Sequence, residues 1–277
     1  MNIFRSLMLH LVLLTILSAA YCRAAESGGG RKQKEWQVSV GAGLLAAPLF
    51  AGAKNYTLRA LPDLRIAYKD LFFANLRDGI GYAAFNREGW RLGPVVTYVF
   101  PRYEKEGDSV LRIAGGSSNA LQGMGDVPGT LFLGGFVEYF RKPYKLHLHL
   151  HKGVTGYEGM VAEGRVSYVS TLNLAGSPLV YAFGPQVRYG DQAYTNAYWG
   201  ITPEQSARSG LERYHADGGI TAYGVNAFAM TSLTKEISVS FIAIFDRLAP
   251  LVANSPLIRF RGTENQAMGG VFIGYGF

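Results

Sequence analysis

The last ten residues, 268–277, read MGGVFIGYGF and alternate with a period of two. A period of two predicts a β-strand. One face is apolar and the other is mostly glycine, and the apolar face carries Val271, Ile273, Tyr275 and Phe277. Such a strand fits lipid on one side and a crowded barrel interior on the other, although this stretch alone also fits the last strand of a soluble sandwich.

Two earlier stretches repeat this alternation. In 56–68 one face is apolar and the other carries charges, and in 90–100 the apolar face has Trp90 and Phe100 at its two ends. Two interfacial girdles require aromatic residues at such positions. If the chain is a barrel, the charged face lines the lumen, which gives the predicted lumen residues Arg59, Asp63, Arg65 and Arg91.

The spacing of long and short connections predicts the strand count. Strands in a bacterial barrel alternate between short turns on the periplasmic side and long loops outside. This alternation holds only if the short segment 109–114 is a strand, which gives a total of about twelve. We therefore predict an all-β, antiparallel transmembrane β-barrel whose last strand closes against the first. The predicted strands are 36–47, 56–68, 71–82, 90–100, 109–114, 131–140, 144–151, 165–173, 179–189, 219–231, 237–247 and 268–277.

The N-terminus predicts secretion. Residues 1–24 have the basic start, short apolar run and small residues of a signal peptide, with cleavage after Ala20 or Ala24. Residues 25–35 are a flexible lead-in, and 36–277 form one barrel domain. Cys22 is the only cysteine, so we expect neither a disulfide framework nor thiolate chemistry in the mature chain.

Charge and composition restrict the partners. The net charge of +7 fits either ordinary solubility and lumen lining or attraction to an anionic surface such as lipopolysaccharide. We find no basic run with interleaved aromatic residues, so nucleic acid is not an expected partner. Glycine at 35 residues, with only 17% charged residues, suits a β protein with many turns and an apolar outer surface.

The connection 194–219 is predicted to carry a short helix. Thr202 would cap it, Pro203 would take its first position, Gln205 would reach back to the cap, and Gly210 would end it. Two interpretations are open: the loop presents a protein-binding surface, or it folds inward and plugs the barrel mouth. The residues concerned are Tyr198, Trp199, Thr202, Leu211 and Tyr214.

Metal binding and catalysis are not expected. His147, His149 and His151 alternate on one strand at roughly 6.5–7 Å, which is too far for all three to share one metal. Two of them could share one with help from another strand, but a polar lumen stripe is favoured. Ser206, Ser209 and His215 share a loop with Glu204, but their spacing offers neither a nucleophile elbow nor an oxyanion hole. We predict no cofactor and no enzymatic activity.

Three segments resemble a known family. The resemblance rests on residues 198–219 (YWGIT, then QS, SGL, and Tyr214, Ala216 and Gly219), on LQGMGDV at 121–127, and on DRL at 246–248 followed by SPL at 255–257. These segments are similar to the MltA-interacting protein (MipA)/OmpV family. The terminal Phe277 likewise resembles the end of the strand that targets barrels to their assembly machinery.

The resemblance implies a Gram-negative outer-membrane barrel. It further implies a non-enzymatic scaffold that interacts with a lytic transglycosylase and a peptidoglycan synthase. The alternatives it leaves open are a porin-like channel for small solutes and a surface adhesin. It implies location strongly and activity weakly, because a shared fold hosts different functions.

Overall fold

The computed structural model describes residues 35–76, 78–105, 111–115, 118–174 and 176–277. The predicted signal peptide and nearly all of the predicted lead-in lie outside these residues. The described strands are β1 (Trp36–Pro48), β2 (Tyr56–Tyr68), β3 (Phe72–Asn75), β4 (Gly79–Tyr82), β5 (Phe85–Arg87), β6 (Trp90–Val99), β7 (Arg112–Gly115), β8 (Thr130–Arg141), β9 (Tyr144–Gly153), β10 (Met160–Leu174), β11 (Ser177–Gly190), β12 (Gly219–Ser232), β13 (Ile237–Leu248) and β14 (Asn265–Gly276). The described helices are α1 (Gln192–Trp199), α2 (Pro203–Ser209), α3 (Pro250–Ala253) and α4 (Pro256–Arg261).

The strands close into a twelve-stranded antiparallel barrel, as predicted. The closing pair joins β1 to β14 over eight register positions, from Ser39 opposite Gly276 to Ala46 opposite Gly269. The wall consists of β1, β2, β3, β4, β6 and β8 to β14, while β5 continues β4 beside β6 and β7 lies beside β2. The start of β1 and the end of β14 lie on the same side of the barrel as the short turns. We call this side the turn end, and we call the opposite side, which carries the long connections, the loop end.

Two predicted strands were wrong, although the total was right. Residues 71–82 form two strands, because the chain reverses between Asn75 and Gly79. The Asn75 Nδ2 donates to the Asp78 Oδ2 at 2.9 Å, and the Asn75 Oδ1 accepts from the Asp78 backbone N–H at 2.6 Å. The segment 109–114 is not a wall strand, since the described part of it, β7, pairs only with β2 among the described strands. The two errors cancel in the count.

Pro94 illustrates how a proline is accommodated in this wall. It lies in β6 opposite the break between β4 and β5, where the pairing shifts by one residue between Gly81–Val95 and Phe85–Leu92. The ladder is already interrupted there, so the missing N–H leaves no regular hydrogen bond unmade.

The outer wall is apolar and banded by aromatic rings. Among the described residues, outward-facing side chains that are at least a third exposed include Val40, Leu64, Leu148, Val166, Phe183, Val225, Phe241 and Ile273. Rings pair at the turn end, for example Trp36 with Tyr68 at 4.7 Å and Trp90 with Tyr139 at 4.4 Å between centroids. Tyrosines at the loop end complete a second band: Tyr56, Tyr98, Tyr189 and Tyr223. An apolar belt between two aromatic girdles is the surface of a membrane-spanning barrel.

The inner face of the closing strand explains the glycine-rich end of the sequence. Phe272 points inward and is 6% exposed, and its ring lies where a Cβ on Gly43 of β1 would be, 2.2 Å from the nearest ring atom. Glycine on the neighbouring strand is therefore required by the close approach of an aromatic ring. Separately, within the described ranges we find no helix that is both long and apolar enough to cross a membrane.

Candidate functional site: the loop cap and the charged lumen

Four connections at the loop end fold together over the barrel mouth. We call them the loop cap: residues 49–55, 118–129, 191–218 and 249–264. Their apolar side chains form a buried core whose centre is Trp199, which is 2% exposed and donates from Nε1 to the Ala51 carbonyl at 3.0 Å. The other buried members include Phe50, Leu121, Met124, Tyr194, Ile201, Leu211, Val252, Leu257 and Ile258. The mouth is thus closed by a packed core.

The cap helices begin where their sequences direct. Thr202 starts α2 with the predicted capping box, because its hydroxyl accepts from the Gln205 backbone while Gln205 bonds the Thr202 backbone N–H. Gly210 ends α2 at φ +72°, as expected for a left-handed cap. The sequence indicated one helix here, but the loop contains two, since Asp191 caps α1 by accepting from the Tyr194 N–H.

Side chains that donate to backbone carbonyls join the cap segments. Arg102 donates to the Tyr198 carbonyl at 2.6 Å, and Gln205 donates to Met124 at 2.6 Å. Arg261 donates to three carbonyls on two other segments, those of Ala120 at 3.1 Å, Gln122 at 2.8 Å and Ser209. Such bonds satisfy buried loop carbonyls that no regular secondary structure pairs.

The predicted loop residues are mainly internal to the cap. Trp199 and Leu211 are buried, and the Tyr214 hydroxyl donates to the Leu251 carbonyl at 2.8 Å. Tyr198 is half-buried, receives a hydrogen bond from the Tyr157 hydroxyl at 3.1 Å, and lies 5.5 Å below the Arg102 guanidinium. Burial raises the pKa of the Tyr198 phenol, so the ring remains neutral. Only Thr202 of the five is exposed, which favours the plug over the binding surface.

The polar residues considered for catalysis have structural partners. The Ser206 hydroxyl donates to the Leu211 carbonyl at 2.7 Å, and the Ser209 hydroxyl accepts from the Leu211 N–H at 3.2 Å. Glu204 accepts from the Thr202 hydroxyl at 2.8 Å, and His215 bonds the Gln192 amide. None of these contacts brings a serine hydroxyl to a histidine ring.

Below the cap, charged side chains alternate in sign around the inner wall. We call these eight residues the lumen ladder: Arg91, Glu138, Lys145, His147, Glu163, Arg165, Arg188 and Asp246. Glu138 on β8 meets Arg91 at 2.9 Å, Lys145 at 3.3 Å and the His147 Nδ1 at 3.4 Å.

The other two carboxylates continue the ladder. Glu163 on β10 meets Arg165 at 2.9 Å and Arg188 at 3.0 Å, and Arg188 approaches Asp246 at 3.8 Å. Gly224 makes room for Asp246, because a Cβ there would lie 2.4 Å from the carboxylate oxygen. Each carboxylate thus contacts at least one cation, as charges removed from bulk water require.

The three histidines lie on the inner face of β9, and the first of them, His147, belongs to the ladder. Their rings lean together, with centroids 4.1 Å apart for His147–His149 and 4.9 Å for His149–His151, so the spacing is shorter than the strand repeat suggested. No group of three or more metal-ligating side chains is arranged to hold a metal among the described residues. His151 contacts the Thr97 hydroxyl at 3.5 Å, and Phe136 and Phe132 flank the stripe.

The remaining predicted lumen residues also face inward. Arg59 is 5% exposed and donates to the Leu49 carbonyl at 3.3 Å, and Asp63 pairs with Arg65 at 2.5 Å. The predicted membrane-facing residues of β14 lie on the opposite, outward face, with Ile273, Tyr275 and Phe277 at least 46% exposed and Val271 half-buried.

The opposite part of the lumen is apolar. Inward side chains from β1, β2 and β11 to β14 pack together, and we call them the apolar lumen layer: Leu45, Ala47, Leu61, Val180, Ala182, Phe228, Ile242 and Phe272. Two cavities of about 10 and 40 Å³ lie beside the Arg188–Asp246 pair, and each is large enough only for water molecules.

Sequence reasoning missed the most connected of these residues. Arg188 lies in a strand that was recognised, two residues from Gln186 on the same inward face, so the period of two could have found it. Glu163 lies two residues before Arg165, but the predicted strand began only at residue 165, and Glu138 has Phe136 and Phe140 at that spacing. Arg102 and Arg261 gave no such signal, because their carbonyl partners lie on distant loops.

A family model described as MltA-interacting protein MipA matches residues 40–277. The chain belongs to the MipA family. The comparison with curated proteins found no match.

Solved porin structures resemble this MipA-family chain only distantly. The NanC porin has 7% identity over 86% of this chain and 98% of its own, with a TM-score of 0.38. The outer-membrane protein OprD from Pseudomonas aeruginosa has 11% identity over 90% of this chain and 66% of its own, with a TM-score of 0.31. OprB from Pseudomonas putida has 10% identity over 88% and 94%, with a TM-score of 0.31. These scores carry no argument about function.

The segments that resemble the MipA family meet in the loop cap. Leu121, Met124 and Val127 of the first segment, Trp199 and Leu211 of the second, and Leu257 of the third are all buried there. Gln205 and Arg261 bond carbonyls across these segments. Three stretches that are far apart in sequence therefore build one structural unit.

Proposed function

We propose that this MipA-family barrel is a non-enzymatic scaffold in the Gram-negative outer membrane. It would hold a lytic transglycosylase and a peptidoglycan synthase close to the membrane. The observation that carries the proposal is the closed barrel: a packed cap seals one mouth and paired charges fill the lumen, while a lipid-facing belt anchors the wall. A rigid, filled barrel suits an anchor better than a conduit. The name of the matched family model supports the choice of partner.

The turn end is the side on which such a partner would dock. In bacterial barrels the short turns face the periplasm, where peptidoglycan lies. Five exposed basic side chains lie at this end, next to the exposed acidic residues Glu35, Glu88 and Glu236, and Lys69 pairs with Glu35 at 3.1 Å. The basic residues are Lys69, Arg87, Arg141, Lys142 and Lys235. Basic surfaces steer acidic partners and raise association rates. The turn between β8 and β9, with Arg141 next to Lys142, is the densest positive site among these turns.

Affinity capture from solubilised membranes tests the scaffold. The wild-type protein should recover a lytic transglycosylase, and the double variant Arg141→Glu/Lys142→Glu should recover several-fold less. Arg208→Glu, an exposed charge reversal on α2 at the other end of the barrel, is the matched control and should recover the wild-type amount. Absence of any peptidoglycan enzyme from the wild-type capture contradicts the proposal.

A channel is the second candidate. The inward charges Arg59, Asp63, Arg65 and Arg91 favour it, because solute pores are lined by charged rings. Conduction would require the loop cap to move, since its core covers the mouth. Planar-bilayer recording separates the two: a steady ohmic current from the wild-type protein supports the channel, and silence supports the scaffold.

A further inference from the structure

Strand β10 extends past its neighbour β9 at the turn end. Its contact with β9 ends at a bond from the Val169 N–H to the Pro143 carbonyl at 2.6 Å. Its pairing with β11 continues to Leu174 opposite Ser177. The end of the β10–β11 hairpin is therefore a ribbon of only two strands. We call residues 169–174 of β10, on the side that faces away from β11, the bare edge.

Two residues of the bare edge carry backbone groups that no other strand pairs. The N–H and C=O groups of alternate residues in a strand point to the same side, so Thr171 and Asn173 point the same way as Val169, away from β11. Because β9 has already ended there, these groups have no hydrogen-bond partner among the described residues. Open sheet edges do not occur within the hydrocarbon layer of a membrane, so the bare edge lies in water.

The two edges of this ribbon differ in protection. Sheet edges are protected by proline or by charged side chains. Asn173 and Pro178 are register partners whose backbones point away from each other, so Pro178 leaves the β11 edge without a donor. The bare edge, VSTLNL, has neither proline nor a charged residue, and its outward side chains Leu172 and Leu174 are 54% and 60% exposed. An unprotected edge of this kind accepts an added strand.

Two cations lie beside the bare edge. Arg141 and Lys142 immediately precede Pro143, whose carbonyl bonds Val169. Both cations are exposed, and within the described ranges neither is in an ion pair. Glu88 lies on the β5–β6 turn, on the other side of β8. A strand that continued the line of β9 along the bare edge would begin next to these cations, where acidic side chains are favoured.

We propose that the bare edge binds an extended acidic segment of a periplasmic protein as an added strand. The segment lies in line with β9, and its backbone exchanges hydrogen bonds with Thr171 and Asn173. Apolar side chains at alternate positions pack beside the two exposed leucines, and acidic side chains at one end meet Arg141 and Lys142. This inference rests on the proposed function, because it names the surface and the chemistry by which the scaffold takes its partner.

A defined peptide tests the bare edge on the whole barrel in detergent. The probe is a short fluorescent peptide of alternating valine and threonine with glutamates at one end, and binding is measured by fluorescence anisotropy. Asn173→Pro removes one N–H from the bare edge and should weaken binding several-fold. Asn173→Thr changes the same side chain but keeps the N–H, so it should bind as the wild type does. A peptide whose alternate amides are N-methylated cannot pair with the edge and should not bind.

Three outcomes overturn the proposal. Equal affinities of Asn173→Pro and Asn173→Thr mean that binding does not use the edge, and equal binding of a peptide with lysines in place of the glutamates means that the cations do not select. Much tighter binding by a barrel that lacks residues 25–34 means that the chain's own lead-in occupies the edge. Folding is checked by the heat-induced shift of barrels on gels. If Asn173→Pro does not fold, the N-methylated peptide decides on the wild-type protein.

Capture from membranes distinguishes failure of this inference from failure of the scaffold. If Asn173→Pro loses the peptide but still recovers the wild-type amount of a lytic transglycosylase, the enzyme docks elsewhere, so the bare edge is not its site and the scaffold stands. If the wild-type protein binds the acidic peptide through the edge but captures no peptidoglycan enzyme, the scaffold is wrong and the strand-binding site stands. Parallel loss of peptide and enzyme in Asn173→Pro, with both kept in Asn173→Thr, supports the two together.

Discussion

The loop cap and the lumen ladder fill the same barrel by different physical means. The cap is an apolar core whose loop carbonyls are satisfied by long side chains, as in the bonds of Arg261 to Ala120 and Gln122. The ladder is a set of charges held at regular inward positions of adjacent strands, where Glu138 and Glu163 each meet several partners. The stability of the cap depends on how well its side chains pack, and that of the ladder depends on the register of the strands that carry the charges.

This difference separates control of access to the lumen from the stability of the barrel. We expect that a core built from four connections can open without breaking the wall, because the bridges within it, Ala53–Gly262 and Ile201–Tyr214, are separate from the pairing of the wall strands. The ladder cannot, since its members are fixed to six wall strands. We therefore expect changes in the cap to alter access to the lumen, and changes in the ladder to alter the stability of the barrel. The following variants are designed to break or sharpen that comparison.

The largest effect is expected from Trp199→Ala. The variant removes the centre of the cap core and the bond to Ala51, and truncation of a buried tryptophan costs about 3–5 kcal/mol. The cap should open, so that planar-bilayer conductance rises and protease cleaves within 191–218. Trp36→Ala is the control, because Trp36 is 55% exposed at the turn end. A variant that stays closed would show that the cap does not depend on this core.

Glu138→Gln should give the next largest effect. The amide leaves Arg91 and Lys145 near each other without their shared carboxylate, and loss of one partner from a buried ion pair costs about 3 kcal/mol. The unfolding temperature of the barrel in detergent should fall, while the mouth should stay closed to current. Glu236→Gln at the exposed β12–β13 turn is the control. Increased conductance of Glu138→Gln would show that the two regions are coupled.

Gly123→Ala tests the shape of the cap at one contact. Gly123 has φ +83°, and a Cβ there would lie 2.6 Å from the Ser209 backbone. Gly210→Ala has the same kind of backbone strain, at φ +72°, but nothing lies within 4 Å of the added carbon. The control should cost about 1 kcal/mol and Gly123→Ala clearly more. Protease resistance of the cap is the measurement, and equal losses would assign the effect to backbone strain alone.

The sequence predicted the wall better than the cap, for physical reasons. Strand alternation is local, so the faces of β2, β6 and β14 could be read from consecutive residues. The reversal at Asn75 was missed because apolar residues lie on both sides of it, and the turn depends on the Asn75 side chain bonding Asp78. The barrel was therefore predictable, whereas the strand number was right only because the errors in two segments cancelled.

The cap was predictable only in its local parts. The capping box of Thr202 and the end of α2 at Gly210 are signals within nine residues, and both are present. The burial of Trp199 depends on partners such as Ala51, which lies 148 residues away. Spacing in one loop could not indicate whether its aromatic residues face solvent or each other. The resemblance to the MipA family identified the three segments that meet in the loop cap, but it did not indicate that they pack together.

The smallest expected effect is a pH dependence confined to the cap. Glu104 accepts hydrogen bonds from the Gly123 and Gly125 N–H groups at 3.0 and 2.6 Å, and these bonds lower the pKa of its carboxyl below the usual 4.5. A lowered pKa stabilises the fold above the unfolded value, and that stabilisation is lost as the pH falls through the folded pKa. Protease resistance at 118–129 should thus weaken below about pH 4.5.

Glu104→Gln should remove this pH dependence while leaving the thermal stability of the barrel unchanged. The reason is that Glu104 contacts only the cap, and no member of the lumen ladder lies among its bonding partners. Limited proteolysis across pH 3.5–6 with an acid-tolerant protease, compared with the heat-induced gel shift at each pH, measures both regions in one sample. If the wild-type cap and the barrel weaken together in acid, the ladder governs the cap, and the division between the two regions is wrong.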